Sequence, residues 1–167
     1  VPENEYIARV GLATNTNVNQ YFNKFIKNKG KIIDKQAGLI PIYNPKLETE
    51  KNNIFLVGDA ALQVKASTGG GIIPGLIAAQ ELERSIIKKQ SYTKNWKKRI
   101  GKDLYISLLI RKALNKFSDE DYNELVSLSN KSLKILIEDY DREFPSKSLL
   151  KAFIKEPRLI KFIKKVI

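Results

Sequence analysis

Apolar positions change their rhythm part-way along the chain. Residues 6–13, Tyr-Ile-Ala-Arg-Val-Gly-Leu-Ala, place Ile7, Val10 and Leu12 in a short segment that predicts a strand. Asn15-Thr16-Asn17 predicts a turn and helix cap. Tyr21, Phe22, Phe25 and Ile26 then fall at helical spacing over 18–29, with Gly30 as the stop. Residues 31–43 predict one or two short strands closed by an Asn44-Pro45 turn. After a polar stretch at 48–53, Ile54-Phe55-Leu56-Val57 is wholly apolar and predicts a buried strand. A glycine-rich turn follows, and a helix is predicted over about 71–89.

From Thr93 onward the pattern is helical throughout. Trp96, Ile100, Leu104, Leu108 and Leu109 mark an amphipathic helix running to about Lys116, with Trp96 as a packing anchor. Ser118-Asp119-Glu120-Asp121 is a capping signal with carboxylates where the helix dipole favours them, and predicts a helix to about Ser129. Another is predicted through 132–138. Pro145 opens a further one, and Pro157 separates it from a basic amphipathic segment at 158–167. The layout is a mixed α/β part to about residue 90 followed by a helical tail. Strands so few and so far apart in sequence leave unpaired edges, which predicts that their partners lie in another segment or chain.

Composition narrows the chemistry. With no cysteine and no histidine, the chain has no disulfide, no thiolate or imidazole metal site, and no histidine-based triad. Chemistry must rest on carboxylates, lysines, hydroxyls, backbone amides or a cofactor; no catalytic residue and no metal ligand set is assigned. The acidic run Glu138-Asp139-Tyr140-Asp141 matches no calcium loop and reads as solvated. Thirty Lys and Arg against eighteen Asp and Glu give a net charge of +12, which favours anionic partners or a solvated basic surface. Lysines outnumber arginines and no aromatics interleave with them, so nucleic acid is not expected. No run of about eighteen apolar residues spans a membrane. Val1-Pro2-Glu3-Asn4-Glu5 lacks the layout of a signal peptide, and the absence of methionine suggests a processed product or a piece of a longer polypeptide.

The densest chemical information lies at 58–72, Gly-Asp-Ala-Ala-Leu-Gln-Val-Lys-Ala-Ser-Thr-Gly-Gly-Gly-Ile. Asp59, at the carboxyl end of a strand, can accept hydrogen bonds from ligand hydroxyls. Gly69, Gly70 and Gly71 bare the backbone so that amides can approach a ligand, and the helix that follows adds partial positive charge there. Pro74 falls in that helix's first turn, where its missing N–H is tolerated. A glycine-rich strand-to-helix turn with no ligand is the alternative.

The same string closely resembles the second FAD-binding motif of geranylgeranyl reductases, flavoproteins of the aromatic-hydroxylase, glutathione-reductase-like class. In that family Gly-Asp-Ala-Ala is followed by Gly-Gln-Val-Lys-Pro-Thr-Thr-Gly-Gly-Gly-Ile. Gly58-Asp59-Ala60-Ala61, Gln63-Val64-Lys65 and Thr68-Gly69-Gly70-Gly71-Ile72 match it. Val1-Pro2 resembles the end of the family's Trp-x-Phe-Pro stretch, Arg9-Val10-Gly11-Leu12 its next strand, and Gly38-Leu39-Ile40-Pro41 the segment before the motif. The likeness is strong over 36–80 and weak in the tail. Leu62 stands where the family has glycine and Ala66 where it has proline. The Gly-x-Gly-x-x-Gly fingerprint for the ADP half of FAD is absent from the chain.

The resemblance implies the C-terminal part of a two-domain FAD-binding fold, α/β to α+β, with a partial sheet, the glycine-loop helix and a helical tail. It divides the chain into a remnant of the substrate-domain sheet with a helix at 1–34, the C-terminal part of the FAD-binding domain at 35–92, and a helical region at 93–167. Asp59, with Gly58, would bind the ribityl chain of FAD. Backbone groups of Gly69, Gly70, Gly71 and Ile72 would face the pyrimidine edge of the flavin, and Lys65, Ala66, Ser67 and Thr68 would lie along it. An N-terminal half carrying the ADP-binding fingerprint, in cis or in trans, would complete the site; alone, the chain is expected to bind FAD poorly. The whole would reduce isoprenoid double bonds of prenylated lipids. Another flavoprotein of the same fold (an aromatic hydroxylase, a halogenase or a quinone-linked oxidoreductase) is one rival, and a non-catalytic basic module binding membrane or nucleic acid is a second. The cysteine-free, lysine-rich composition fits an archaeal cytoplasmic protein touching the inner membrane face. For the basic segment at 151–167, a membrane-surface helix and a helix packed on the core with a wet face are both consistent with the pattern.

Overall fold

In the computed structural model, residues 1–128 and 144–163 are described. The chain divides into two compact units, Val1–Gly38 and Leu39–Ile167. The predicted helix at 132–138, the acidic run at 138–141 and the last four residues of the basic segment lie outside the described residues.

The first unit opens with a tight reversal. Val1 and Arg9 exchange hydrogen bonds of 2.8 Å in each direction, and the amides of Tyr6 and Ile7 both donate to Asn4 Oδ1. The strand predicted at 6–13 is reduced to one bridge, between Pro2 and Ala8. No strand forms at 31–43 either. Ladder hydrogen bonds need a partner at a distant sequence position, and apolar content alone does not provide one. Helix α1 (Val18–Ile26) forms as predicted and stops at Lys27, short of Gly30. None of its residues is buried within the unit, so its Tyr21 and Phe25 face outward. With Leu12, Ala13, Lys24 and Lys29 they line an open hollow of about 640 Å³.

The second unit contains one small antiparallel pair, β1 (Glu50–Lys51) and β2 (Ile54–Phe55), with Glu50 opposite Phe55. Sequence predicted a fully buried strand over 54–57. The structure instead shows a half-buried one, with Ile54 70% exposed while Phe55 and Val57 pack inward. Alternation of this kind belongs to a strand covered on one face only. A single 3₁₀ turn (Gly58–Ala61) and the glycine loop lead into α2 (Ile72–Lys88). Its buried residues Pro74, Ile77, Ala78, Glu81 and Ser85 fall at the i, i+3, i+4 spacing of one helix face. Lys89 closes the helix in the left-handed conformation, with Gln90 N–H donating back to the Ser85 carbonyl.

The predicted Trp96 helix is present and starts earlier. It runs from α3 (Tyr92–Trp96) through a π-helical stretch (Lys97–Gly101) into α4 (Lys102–Leu114). Trp96, Ile100 and Leu104 are buried with Tyr43, Ile77, Ala78 and Tyr92 in one core. Polar groups fix α2 against this helix. Buried Glu81 accepts from Arg84 at 3.0 Å and from Arg99 at 2.7 Å, and Asn95 donates to Ser85 Oγ at 2.9 Å. Glu50 anchors the start of α3, accepting from Thr93 N–H and from Ser91 Oγ, and the Thr93 bond above all holds its carboxyl below the usual value.

Helix α5 (Asp119–Leu128) begins at the capping signal read from sequence. Ser118 N–H donates to Asp121 Oδ2 and Asp121 N–H to Ser118 Oγ. Helix α6 (Pro145–Lys155) has proline in its first turn, and its Ser146 amide donates to Asp103 of α4 at 2.9 Å. A 3₁₀ turn (Pro157–Leu159) and α7 (Ile160–Ile163) follow. Leu159 and Phe162 are buried with Leu128, packed against Phe117, Leu125 and Phe153, while Lys161 pairs with Glu124. The described part of the basic segment is thus a packed helix with a wet basic face. Among the described residues no helix is long and apolar enough to cross a membrane, and no cluster of His, Cys, Asp or Glu could hold a metal ion.

Candidate functional site

The glycine loop is shaped by hydrogen bonds around two fully buried side chains, Gln63 and Tyr92. Val57 is extended, and Gly58 turns the chain at φ +66°. Gly58 N–H donates to Gln63 Oε1 at 2.7 Å, and Gln63 N–H returns to the Gly58 carbonyl at 3.0 Å. Gln63 Nε2 donates to the Tyr92 hydroxyl, which donates to the Leu56 carbonyl, both at 2.9 Å. Burial pushes the Tyr92 phenol above its ordinary value, which keeps that donor protonated. The Gln-Val-Lys element of the motif therefore has a structural reason: its glutamine ties the strand end, the 3₁₀ turn and α3 together.

Leu62 closes the 3₁₀ turn with φ +54° and ψ +29°, in the left-handed region. This is the position where the resembling family carries glycine, and a leucine there costs about 1–2 kcal/mol of backbone strain. Leu62→Gly is expected to raise unfolding stability by about 0.5–1 kcal/mol, after the loss of Leu62's partial burial and the added freedom of glycine in the unfolded chain. A urea midpoint that falls instead would show that the side chain's contacts outweigh the backbone.

Residues 65–70 form a closed turn. Lys65 N–H donates to the Gly70 carbonyl at 3.0 Å, and the Lys65 carbonyl accepts from Thr68 and Gly69 at 3.2 and 2.8 Å. Gly69 has φ +74°, where only glycine sits without strain. Gly71 needs glycine for a different reason. Its backbone angles are ordinary, but a Cβ there would lie 2.9 Å from Asp59 Oδ1 and 3.1 Å from Val64 Cγ2. Gly70 is similarly crowded, with its absent Cβ 2.9 Å from Lys65 Cε.

These elements border a shallow, open cleft of about 440 Å³ beside Gly58, Asp59, Gly69, Gly71 and Gly75, with Ile40, Ile72 and Leu76 as an apolar rim. Among the sequence-predicted residues the structure brings Gly58, Asp59, Gly69, Gly71 and Ile72 to this cleft. Gly70 borders it in sequence and packs on Lys65, whereas Ala66 and Thr68 belong to the turn and do not line the cleft. Asp59 is exposed on the 3₁₀ turn just past the strand. The Gly69 amide is committed to Lys65. The amides of Ile72 and Ile73, at the start of α2, have no acceptor inside the helix and carry its positive dipole end. Pro74 adds no third donor. The cleft therefore presents a carboxylate acceptor at Asp59 and backbone N–H donors at the start of α2.

Two residues of the site escape sequence reasoning. Arg111 and Ser107 of α4 reach the turn: Arg111 Nε donates to the Ala66 carbonyl at 2.8 Å, Arg111 Nη2 to the Ser67 carbonyl at 2.6 Å, and Ser67 N–H to Ser107 Oγ at 3.0 Å. A polar pair four residues apart beside the apolar stripe of Leu104 and Leu108 is the one local signal they give.

No protein-family model matches the chain, and no solved structure gives a match. Curated relatives do. The chain is 35% identical over 141 residues to digeranylgeranylglycerophospholipid reductase 2 of Methanothermobacter thermautotrophicus, covering 72% of this chain and 37% of that protein. It is 36% identical over 120 residues to digeranylgeranylglycerophospholipid reductase 2 of Methanococcoides burtonii, covering 64% and 30%. It is 28% identical over 166 residues to digeranylgeranylglycerophospholipid reductase of Methanococcus aeolicus, covering 88% and 41%. The chain therefore spans well under half the length of these relatives. The chain belongs to the geranylgeranyl reductase family, and these relationships support reading it as a C-terminal portion of such a protein.

Proposed function

We propose that the cleft is the flavin-facing part of an FAD site, and that this chain contributes it to an FAD-dependent prenyl reductase acting on geranylgeranyl lipids. The observation that carries the reading is the bare backbone at Gly71, where a Cβ would crowd Asp59 and Val64, set at the positive end of α2. The residues present fit the group. Asp59 would accept hydrogen bonds from the ribityl hydroxyls, and the amides of Ile72 and Ile73 would donate to the pyrimidine edge of the ring. The apolar rim of Ile40, Ile72 and Leu76 would shed water from the ring face. When bound and reduced, the flavin supplies the hydride for a carbon–carbon double bond. This chain's part is to bind, to orient, and to stabilise negative charge on the ring through the α2 dipole.

The ADP half of FAD requires an element this chain does not contain, so the proposal includes a partner segment carrying the Gly-x-Gly-x-x-Gly turn, in cis or in trans. The relatives' names point to a digeranylgeranylglycerophospholipid as the substrate class. A lipid of that kind and the chain's excess of lysine together favour peripheral contact with an anionic membrane surface.

A chimaera tests this reading. This chain replaces the matching segment of the Methanothermobacter thermautotrophicus relative, and the flavin carried through purification is measured by absorbance. The chimaera is expected to hold flavin as its parent does, and Asp59→Ala to lower retention by about tenfold, as for loss of a hydrogen bond to a charged group. A colourless chimaera beside a yellow parent, or full retention in Asp59→Ala, contradicts the proposal.

A further inference from the structure

Among the described residues, α4 reaches the turn at 65–68 of the glycine loop, and there it engages main-chain groups. Ser67 is held through three of its polar groups: its N–H by Ser107 Oγ, its carbonyl by Arg111 Nη2, and its hydroxyl 2.8 Å from Ser107 Oγ. Ser107 is fully buried, so its hydroxyl has no exchange with water to compensate a lost partner. Arg111 adds the Ala66 carbonyl through Nε. Two consecutive carbonyls then converge on one guanidinium. Holding both at once takes two donors in one plane; arginine has that fork and lysine does not.

We propose that Arg111 and Ser107 are positioning residues for the flavin-facing loop. They act through the main chain at 66–67 and make no contact with the cofactor themselves. The proposal rests on the flavin reading of the cleft. It also gives the helical tail a role in the site: α4 sets the conformation of the closed turn, and the turn leads into Gly71, which lies against Asp59. Substitutions in α4 would thus alter cofactor affinity from outside the cleft.

Amide hydrogen exchange on the full chain tests this without cofactor. Arg111→Ala is expected to speed exchange at Thr68 and Gly69 by at least tenfold while the α2 amides at 77–85 keep their wild-type rates. Arg111→Lys, which reaches one carbonyl at a time, is expected to fall between, and added guanidinium below denaturing concentration to restore protection in Arg111→Ala alone. Ser107→Ala gives a milder disruption of the same turn if Arg111→Ala does not fold. Unchanged exchange in the turn, or a parallel rise in α2, overturns the positioning role. The same variants placed in the chimaera should retain about tenfold less flavin. A loosened turn with unchanged retention would overturn the assignment of this loop to the flavin, leaving the positioning contact itself intact.

Discussion

Gly71→Val is expected to abolish flavin retention in the chimaera and to cost the protein about 1–3 kcal/mol of stability. The cause is space. Gly71 has φ −117° and ψ −18°, angles open to any residue, so no conformational demand explains the glycine. A β-carbon would meet Asp59 Oδ1 at 2.9 Å and Val64 Cγ2 at 3.1 Å. The carboxylate can swing away, but Val64 is 1% exposed and is held from all sides. The new side chain would therefore push Asp59 out of position and fill the cleft at the same point. A cycle of stability measurements isolates the clash. Gly71→Ala should cost less in an Asp59→Ala background than alone, because one of its two obstructing atoms is gone. Strict additivity of the two substitutions would mean that the pair does not meet.

Trp96→Ala is expected to remove about 3–5 kcal/mol of stability, a large share of the roughly 5–15 kcal/mol that holds a typical domain together. Trp96 is 1% exposed, meets the Tyr43 ring edge-on at 6.5 Å, and donates from Nε1 to Thr49 Oγ1 at 3.0 Å. Thr49 in turn is 2.9 Å from Thr93 Oγ1, so the indole ties the β1 approach to the start of α3. Deleting it leaves a cavity at the centre of the core and breaks that polar link. Trp96→Phe keeps the contact with Tyr43 and should cost less, about 1–2 kcal/mol, mostly for the lost hydrogen bond. Urea titrations of the two variants give the comparison, and equal midpoints for alanine and phenylalanine would show that ring packing contributes nothing there.

What could be read from the chain was what is local. The stripe of Trp96, Ile100, Leu104 and Leu108 specifies its own helix, because residues three and four apart share a face whatever lies elsewhere. The Ser118–Asp121 cap and Pro145 behave likewise. The glycine loop was legible for a related reason: strand, acidic residue, glycines and helix start follow one another without a gap. Strands were the failure. Residues 6–13 and 31–43 have apolar content, but pairing depends on a partner that composition does not name, and in the structure they remain a single bridge and irregular chain. For residues 54–57 the pattern predicts burial on both faces, because a four-residue apolar run does not report how many faces are covered. Arg111 and Ser107 lie 45 and 40 positions from the groups they hold, so nothing in the local pattern joins them. Leu62 carries a further lesson. Leu62 stands where the resembling family has glycine, and the structure shows it as a leucine kept in a glycine's conformation.

The flavin surface proposed for Asp59, Gly71 and the start of α2 is tested most directly by a titration. FAD is added to the isotope-labelled full chain while backbone amide shifts are followed. Without a segment for the ADP half, affinity should be weak, on the order of 1 mM. The amides of Asp59, Gly71, Ile72 and Ile73 are expected to move first and to saturate together. Shifts that stay fixed throughout, or that move only at residues away from the cleft, would contradict the account.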